Sequence, residues 1–213
     1  MNSASKSIEQ IVTLAPVIPV LVLDDPESAL MVGEALLEGG LPVLEITLRT
    51  SAALECIKVL LRLKGAVIGA GTVLSSDQLS ASMDAGASFV VSPGVTPRLV
   101  EAALRTRAPY LPGVATASEA MALAELGLSH FKFFPAEALG GTRHLASLAS
   151  PLPRLRFCPT GGITQENAKA WLALPNVVCV GGSWVAPADA IRARDAKRIT
   201  ALAKEAAALR KTA

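Results

Sequence analysis

Cysteine is scarce: Cys56, Cys158 and Cys179 are an odd set of three, with no CxxC pair among them. A disulfide framework is therefore excluded, and reduced thiols in a cytoplasmic protein are expected. Histidine is scarcer still. His130 and His144 lack metal-ligand spacing, so neither a metal nor another cofactor is expected. No run of about 18 uncharged apolar residues occurs, which excludes a membrane span, although mean hydropathy is +0.46. The N-terminal MNSASKSIEQ lacks the basic-then-apolar pattern of a secretory signal. Lysine and arginine are scattered, and the net charge is only +2, which argues against nucleic acid as a partner.

What is present is material for a core: 51% of residues are hydrophobic and 18% charged. No linker or low-complexity stretch divides the 213 residues, so residues 1–213 are expected to form one domain. Short apolar runs alternate with helix-patterned stretches. The runs are 17–23, 41–48, 66–73, 89–94, 109–115, 130–136, 156–162 and 177–184. Asp25 and Pro26 supply N-cap and first-turn chemistry for one helix, which Gly39-Gly40 closes. Ser75-Ser76-Asp77 opens another that ends at Gly86. Thr116 with Glu119 forms a capping box ahead of a helix that Gly127 stops. Thr164 opens a helix over 165–173, and 195–209 is amphipathic. An extra helix is expected over 5–14. Strands alternating with helices imply parallel pairing. Eight such units in this length predict an α/β protein, a (β/α)8 TIM barrel with an extra N-terminal helix. An open doubly wound sheet is the alternative, but no GxGxxG follows the first run.

A parallel strand is buried on both faces, so a charge inside one is costly and informative. In Leu44-Glu45-Ile46-Thr47-Leu48-Arg49, the period of two puts Glu45, Thr47 and Arg49 on one face. With the apolar face against helices, the charged face looks into the barrel near the strand's carboxyl end. A structural Glu45–Arg49 ion pair is the competing reading. The sixth run, His130-Phe131-Lys132-Phe133-Phe134-Pro135, holds Lys132 among aromatic neighbours, with Phe134 on its own face. Apolar surroundings favour the neutral amine, which attacks carbonyls. The competing reading is a stem packed in the core with its head on a carboxylate at the rim.

Two glycine pairs end the last two runs: Thr160-Gly161-Gly162, ahead of the Thr164 helix, and Gly181-Gly182-Ser183-Trp184. In barrels these two loops often bind phosphate through bare N–H groups and a helix N-terminus. Gly69-Ala70-Gly71-Thr72 and Ser92-Pro93-Gly94 end the third and fourth runs with small residues, which either leave room for a ligand or serve tight packing. Cys158, Cys179, Met83 and Met121 read as core fillers. His144 reads as a solvated helix residue, and His130 lies at the stability end of its strand.

Leu44-Glu45-Ile46-Thr47-Leu48-Arg49-Thr50, Gly69-Ala70-Gly71-Thr72-Val73, Phe131-Lys132-Phe133-Phe134-Pro135-Ala136-Glu137, Phe157-Cys158-Pro159-Thr160-Gly161-Gly162-Ile163 and Gly181-Gly182-Ser183-Trp184 closely resemble the 2-keto-3-deoxy-6-phosphogluconate (KDPG) / 4-hydroxy-2-oxoglutarate aldolase family. The resemblance runs from about Ile11 to the C-terminal helix. It implies a metal-independent class I aldolase of the Entner–Doudoroff pathway, a homotrimer that cleaves a keto-acid phosphate through a covalent lysine imine. It maps Lys132 onto the Schiff-base lysine and Glu45 onto the general acid/base. Arg49 and Thr72 map onto the groups that hold the pyruvate carboxylate. Pro93, Phe134, Thr160, Gly161, Gly162, Gly182 and Ser183 map onto the pocket and phosphate region. Leu139, where asparagine is expected, and Ala186, where a larger residue is expected, depart from the pattern. Alternatives are a sister pyruvate aldolase for the galactonate epimer, or a sugar-phosphate-binding barrel without lyase chemistry.

Overall fold

The computed structural model describes residues 7–209. Strands β1 (Val17–Leu21), β2 (Val43–Thr47), β3 (Val67–Gly71), β4 (Phe89–Val91) and β5 (Tyr110–Leu111) are followed by β6 (Gly113–Val114), β7 (His130–Phe133), β8 (Arg156–Pro159) and β9 (Val180–Gly182). Every pairing between them is parallel. The order is β5-β4-β3-β2-β1-β9 in one sheet and β6-β7-β8 in the other. Isolated parallel bridges Phe157–Val177 and Thr160–Gly181 join β8 to the β9 segment. This is an α/β fold built on parallel strands.

The fifth run is interrupted where the sequence suggested one continuous strand. Pro112 separates β5 from β6, since it has no N–H to give a ladder. Its carbonyl still accepts from the Lys132 N–H at 2.9 Å, so β6 turns to the β7 side while β5 pairs with β4.

Helices begin where cap chemistry places them. Asp25 accepts from the N–H groups of Glu27 and Ser28 at the head of α2 (Pro26–Glu38). Ser75 caps α4 (Ser76–Asp84), and the Thr116–Glu119 box is formed at α6 (Ala117–Glu125). Such a cap contributes about 1 kcal/mol. Asp195 caps α10 (Ala196–Ala207). Before β1, α1 spans Ile8–Val12, shorter than the 5–14 expected; residues 5 and 6 lie outside the described part. The Thr164 helix also starts late. Thr164 and Asn167 exchange side-chain and backbone hydrogen bonds in a turn, and α8 covers only Ala168–Leu172. No helix among the described residues is long and apolar enough to cross a membrane.

Two apolar clusters flank the strands. Leu44 and Ile46 pack outward with Ala29, Val32 and Leu36 of α2 in the larger one. Val43, Ile18, Phe89, Val91, Leu111, Cys158 and Cys179 form the smaller one, which Ile11 and Val12 of α1 join. The period of two therefore sorts β2 as its sequence implies: Leu44 and Ile46 toward helices, Val43 and Glu45 toward the inner face. Full burial of one such aliphatic side chain contributes about 1.5–3 kcal/mol. Two residues differ from the sequence reading. Met121 is 53% exposed, because it lies on the outer side of α6, whereas Met83 packs against the core. His144 is only half-solvated: its ring meets Phe133 edge-on at 5.4 Å and its Nδ1 lies 2.6 Å from the Leu139 carbonyl.

Candidate active site

Parallel pairing puts the carboxyl ends of all strands on one rim. Glu45 rises from β2, and Lys132 from β7. Each is 3% exposed, and the Lys132 Nζ is 3.2 Å from Glu45 Oε1. The same Nζ sits 5.5 Å from the centre of the Phe134 ring. Both the aromatic neighbour and the carboxylate expected from sequence thus face the lysine. The head-on-carboxylate geometry is present, but its carboxylate is as buried as the lysine, not at the solvent edge. Two opposite charges taken from water together neutralise each other, and removing either leaves the other stranded.

Gly71 explains how Glu45 reaches this position. A Cβ there would lie 2.2 Å from Glu45 Oε1, so only glycine lets the carboxylate lie across the end of β3. The next residue, Thr72, holds a left-handed backbone at φ 58, an uncommon conformation for a β-branched side chain. Arg49 lies in the turn after β2, exposed, and its Nε donates to Thr72 Oγ1 at 3.3 Å. Arg49 thus meets Thr72 and not Glu45; no Glu45–Arg49 ion pair is formed. Thr47 is spent on structure, donating to the Leu21 carbonyl at 2.8 Å.

The remaining expected residues lie on the same rim. Pro93 follows β4, and its carbonyl abuts Gly113, the Cα partner of Lys132. Thr160 is buried, pairs with Gly181 across an isolated bridge, and occupies the space a Cβ on Gly181 would fill. Gly161 and Gly162 both have positive φ, and Gly161 lies against the Phe134 ring. Among the described residues, neither of their N–H groups donates to a protein acceptor. Gly182 ends β9 under the Trp184 ring, and Ser183 beyond it is exposed. The helix N-terminus expected beside this loop is set back, because α8 starts at Ala168.

Sequence reasoning passed over three residues here. Glu137 Oε1 accepts from Trp171 Nε1 at 2.8 Å and from Asn167 Nδ2 at 3.1 Å. A glutamate, asparagine and tryptophan spread over this span carry no local pattern; only the last glutamate of the FKFFPAE stretch stood inside a motif. Among the described residues, no cluster of three or more histidine, cysteine, aspartate or glutamate side chains fits a metal ion. Two of the buried thiols are kept protonated by their surroundings. The Cys158 thiol beside it, together with burial, holds the Cys179 thiol well above its usual range, and burial pushes Cys56 up to about 11.

Comparison with known proteins gives consistent matches. The family model "KDPG and KHG aldolase" matches residues 8–202. The KHG/KDPG aldolase of Escherichia coli K12 is 47% identical, over 97% of this chain and 97% of that one. The crystal structure of the 2-keto-3-deoxy-6-phosphogluconate aldolase of Zymomonas mobilis with 3-phosphoglycerate superposes with a TM-score of 0.93. It is 50% identical, over 98% of this chain and 99% of that one. The KDPG aldolase of Legionella pneumophila, with pyruvate captured as a covalent carbinolamine, has a TM-score of 0.93 at 42% identity, over 95% and 98% of the two chains.

Proposed function

The chain belongs to the KDPG and KHG aldolase family, and from that premise we propose that it cleaves 2-keto-3-deoxy-6-phosphogluconate to pyruvate and glyceraldehyde 3-phosphate through an imine on Lys132. It also splits 4-hydroxy-2-oxoglutarate to pyruvate and glyoxylate. The observation that carries this reading is the buried Lys132–Glu45 pair at 3.2 Å on the carboxyl rim.

The pair is neutral overall and stays so through the reaction. Lys132 passes a proton to Glu45 and adds as an amine to the C2 ketone. The proton returns to the carbinolamine oxygen, which leaves as water. The resulting iminium inherits the positive charge, and the Glu45 carboxylate remains its counter-ion. Glu45 then takes the C4 hydroxyl proton, the C3–C4 bond breaks, and its electrons collapse into the iminium to give an enamine. Glyceraldehyde 3-phosphate departs. Glu45 gives its proton to C3, and hydrolysis frees pyruvate and the lysine. The iminium is the electron sink, so the scheme needs no metal. Arg49 and Thr72 hold the keto-acid carboxylate. Pro93 and Phe134 wall the pocket, and Thr160, Gly161, Gly162, Gly182 and Ser183 receive the phosphate end.

The wider frame is a single (β/α)8 barrel domain. The bridges from β8 to β9 and the Pro112 break between β5 and β6 support a closed ring of strands. A cytoplasmic homotrimer is part of the same reading and rests on the family resemblance. Borohydride with pyruvate should add one pyruvyl group at Lys132, read by peptide mass. A Lys132→Ala protein that still turned over at the normal rate would sink the scheme.

A further inference from the structure

We propose that Glu137 is a positioning residue that holds the Gly161–Gly162 loop at a set distance from Lys132, and so registers the phosphate end of the substrate with the imine. The inference rests on the aldolase reading above and deepens it. Glu137 lies five residues past Lys132, in the turn that leaves β7. Its backbone N–H donates to the Gly161 carbonyl at 3.1 Å, and that of Ala136 to the Thr160 carbonyl at 2.8 Å. The turn after the lysine strand is thereby laced to the turn after β8.

The side chain completes the lacing. Glu137 Oε1 takes two neutral N–H donors, Trp171 Nε1 at 2.8 Å and Asn167 Nδ2 at 3.1 Å. Asn167 also donates to the Gly162 carbonyl at 3.0 Å, and its Oδ1 accepts from the Thr164 N–H at 2.8 Å. Gly162 lies against the Glu137 stem so closely that a Cβ there would be 2.6 Å from Glu137 Cβ and Cγ. The loop is thus gripped on its carbonyl side by Asn167 and on its Cα side by the glutamate. Trp171 is fully buried, with its ring 6.5 Å from that of Phe133, the neighbour of Lys132. Among the described residues no lysine or arginine pairs with Glu137. The carboxylate acts as a two-donor anchor, not as half of an ion pair. An unanchored loop moves the Gly161 and Gly162 N–H groups, and a misplacement of about 1 Å costs up to about a hundredfold.

The test compares Glu137→Ala, Glu137→Gln and Trp171→Phe in three assays on the full chain: cleavage of the phosphorylated keto acid, cleavage of unphosphorylated 4-hydroxy-2-oxoglutarate, and borohydride trapping with pyruvate. For Glu137→Ala, KM for the phosphorylated substrate should rise roughly tenfold or more, with trapping and unphosphorylated turnover nearly unchanged. Glu137→Gln keeps an acceptor oxygen and should lie between it and wild type. Trp171→Phe keeps the ring, loses one donor, and should show the same split more weakly. An equal loss in all three assays overturns the proposal, as does an unchanged KM or a Trp171→Phe protein with no split. Failure of the wild-type chain to trap pyruvate would instead overturn the aldolase reading beneath it.

Discussion

Lys132 and Cys158 are Cα partners on adjacent strands and are equally buried, at 3% exposure each. Above them, on the carboxyl rim, lie the Glu45 carboxylate, the Arg49 guanidinium and the hydroxyl groups of Thr72 and Thr160. Below, toward the amino end, the inner face is filled by Ile18, Val43, Phe89, Cys179 and the two α1 residues Ile11 and Val12. Lys132 and Cys158 lie at the same depth, and what differs is what each is given as a partner. The lysine receives the Glu45 carboxylate. The thiols receive one another, the Thr160 hydroxyl at 4.0 Å from Cys158 Sγ, and apolar walls; the Cys158 thiol and burial hold Cys179 protonated. Burial alone therefore does not mark a reactive group; burial with a stated electrostatic partner does.

The sharpest way to break this contrast is to change one group on each level. Glu45→Gln should cut kcat/KM by about 10²–10⁴ and slow trapping of the pyruvate adduct on Lys132, because imine formation also routes a proton through Glu45. Cys158→Ala should leave kcat/KM as in wild type; a comparable loss there would erase the distinction between rim and floor. Stability should separate the levels next. Lys132→Met strands the Glu45 carboxylate and should cost about 3–5 kcal/mol, whereas Lys132→Met with Glu45→Leu should regain that loss or exceed wild type. Urea unfolding of the three proteins measures this, and a double variant no more stable than the single one would refute the pairing argument. Cys158→Ala should cost less, about 1–3 kcal/mol, through a cavity.

The smallest effect concerns His130, buried at the amino end of β7 beside Ser129, where desolvation holds its pKa below 6.5. Glu9 pulls that pKa up and Arg156 pushes it down. With the folded value below the unfolded one, the unfolded chain binds more protons as pH falls through about 6.5. Stability is full above that value and declines below it, down to the folded pKa. His130→Phe should flatten this part of the profile without altering activity at neutral pH. A profile unchanged by the substitution would assign the acid sensitivity elsewhere.

Much of the chemistry was legible because parallel strands give few excuses for charge. Glu45 and Lys132 stood out as soon as their runs were read as buried on both faces, and Arg49 and Thr72 followed from the motifs around them. The helix starts at Asp25, Ser75, Thr116 and Asp195 were equally legible, since each cap needs only a residue and its neighbours a few positions on. The errors share a different cause. Pro112 was visible, but its splitting of the strand depends on which neighbour each half finds. Met121 was misassigned and His144 is more buried than expected, because one helical face does not reveal what packs across it. Thr164 has cap chemistry, yet Asn167 uses it in a turn and delays α8.

The sequence by itself determined the alternation of strand and helix, the caps, and which two charges would be buried in strands. Those follow from interactions a few residues long and from the cost of placing charge in an apolar layer. Only the tertiary structure decided that Lys132 meets Glu45, 87 residues away along the chain, that Arg49 meets Thr72, and that Glu137 meets Asn167 and Trp171. Such pairings depend on strand order and register, because a hydrogen bond or ion pair is set by distances of a few ångströms that spacing along the chain does not encode.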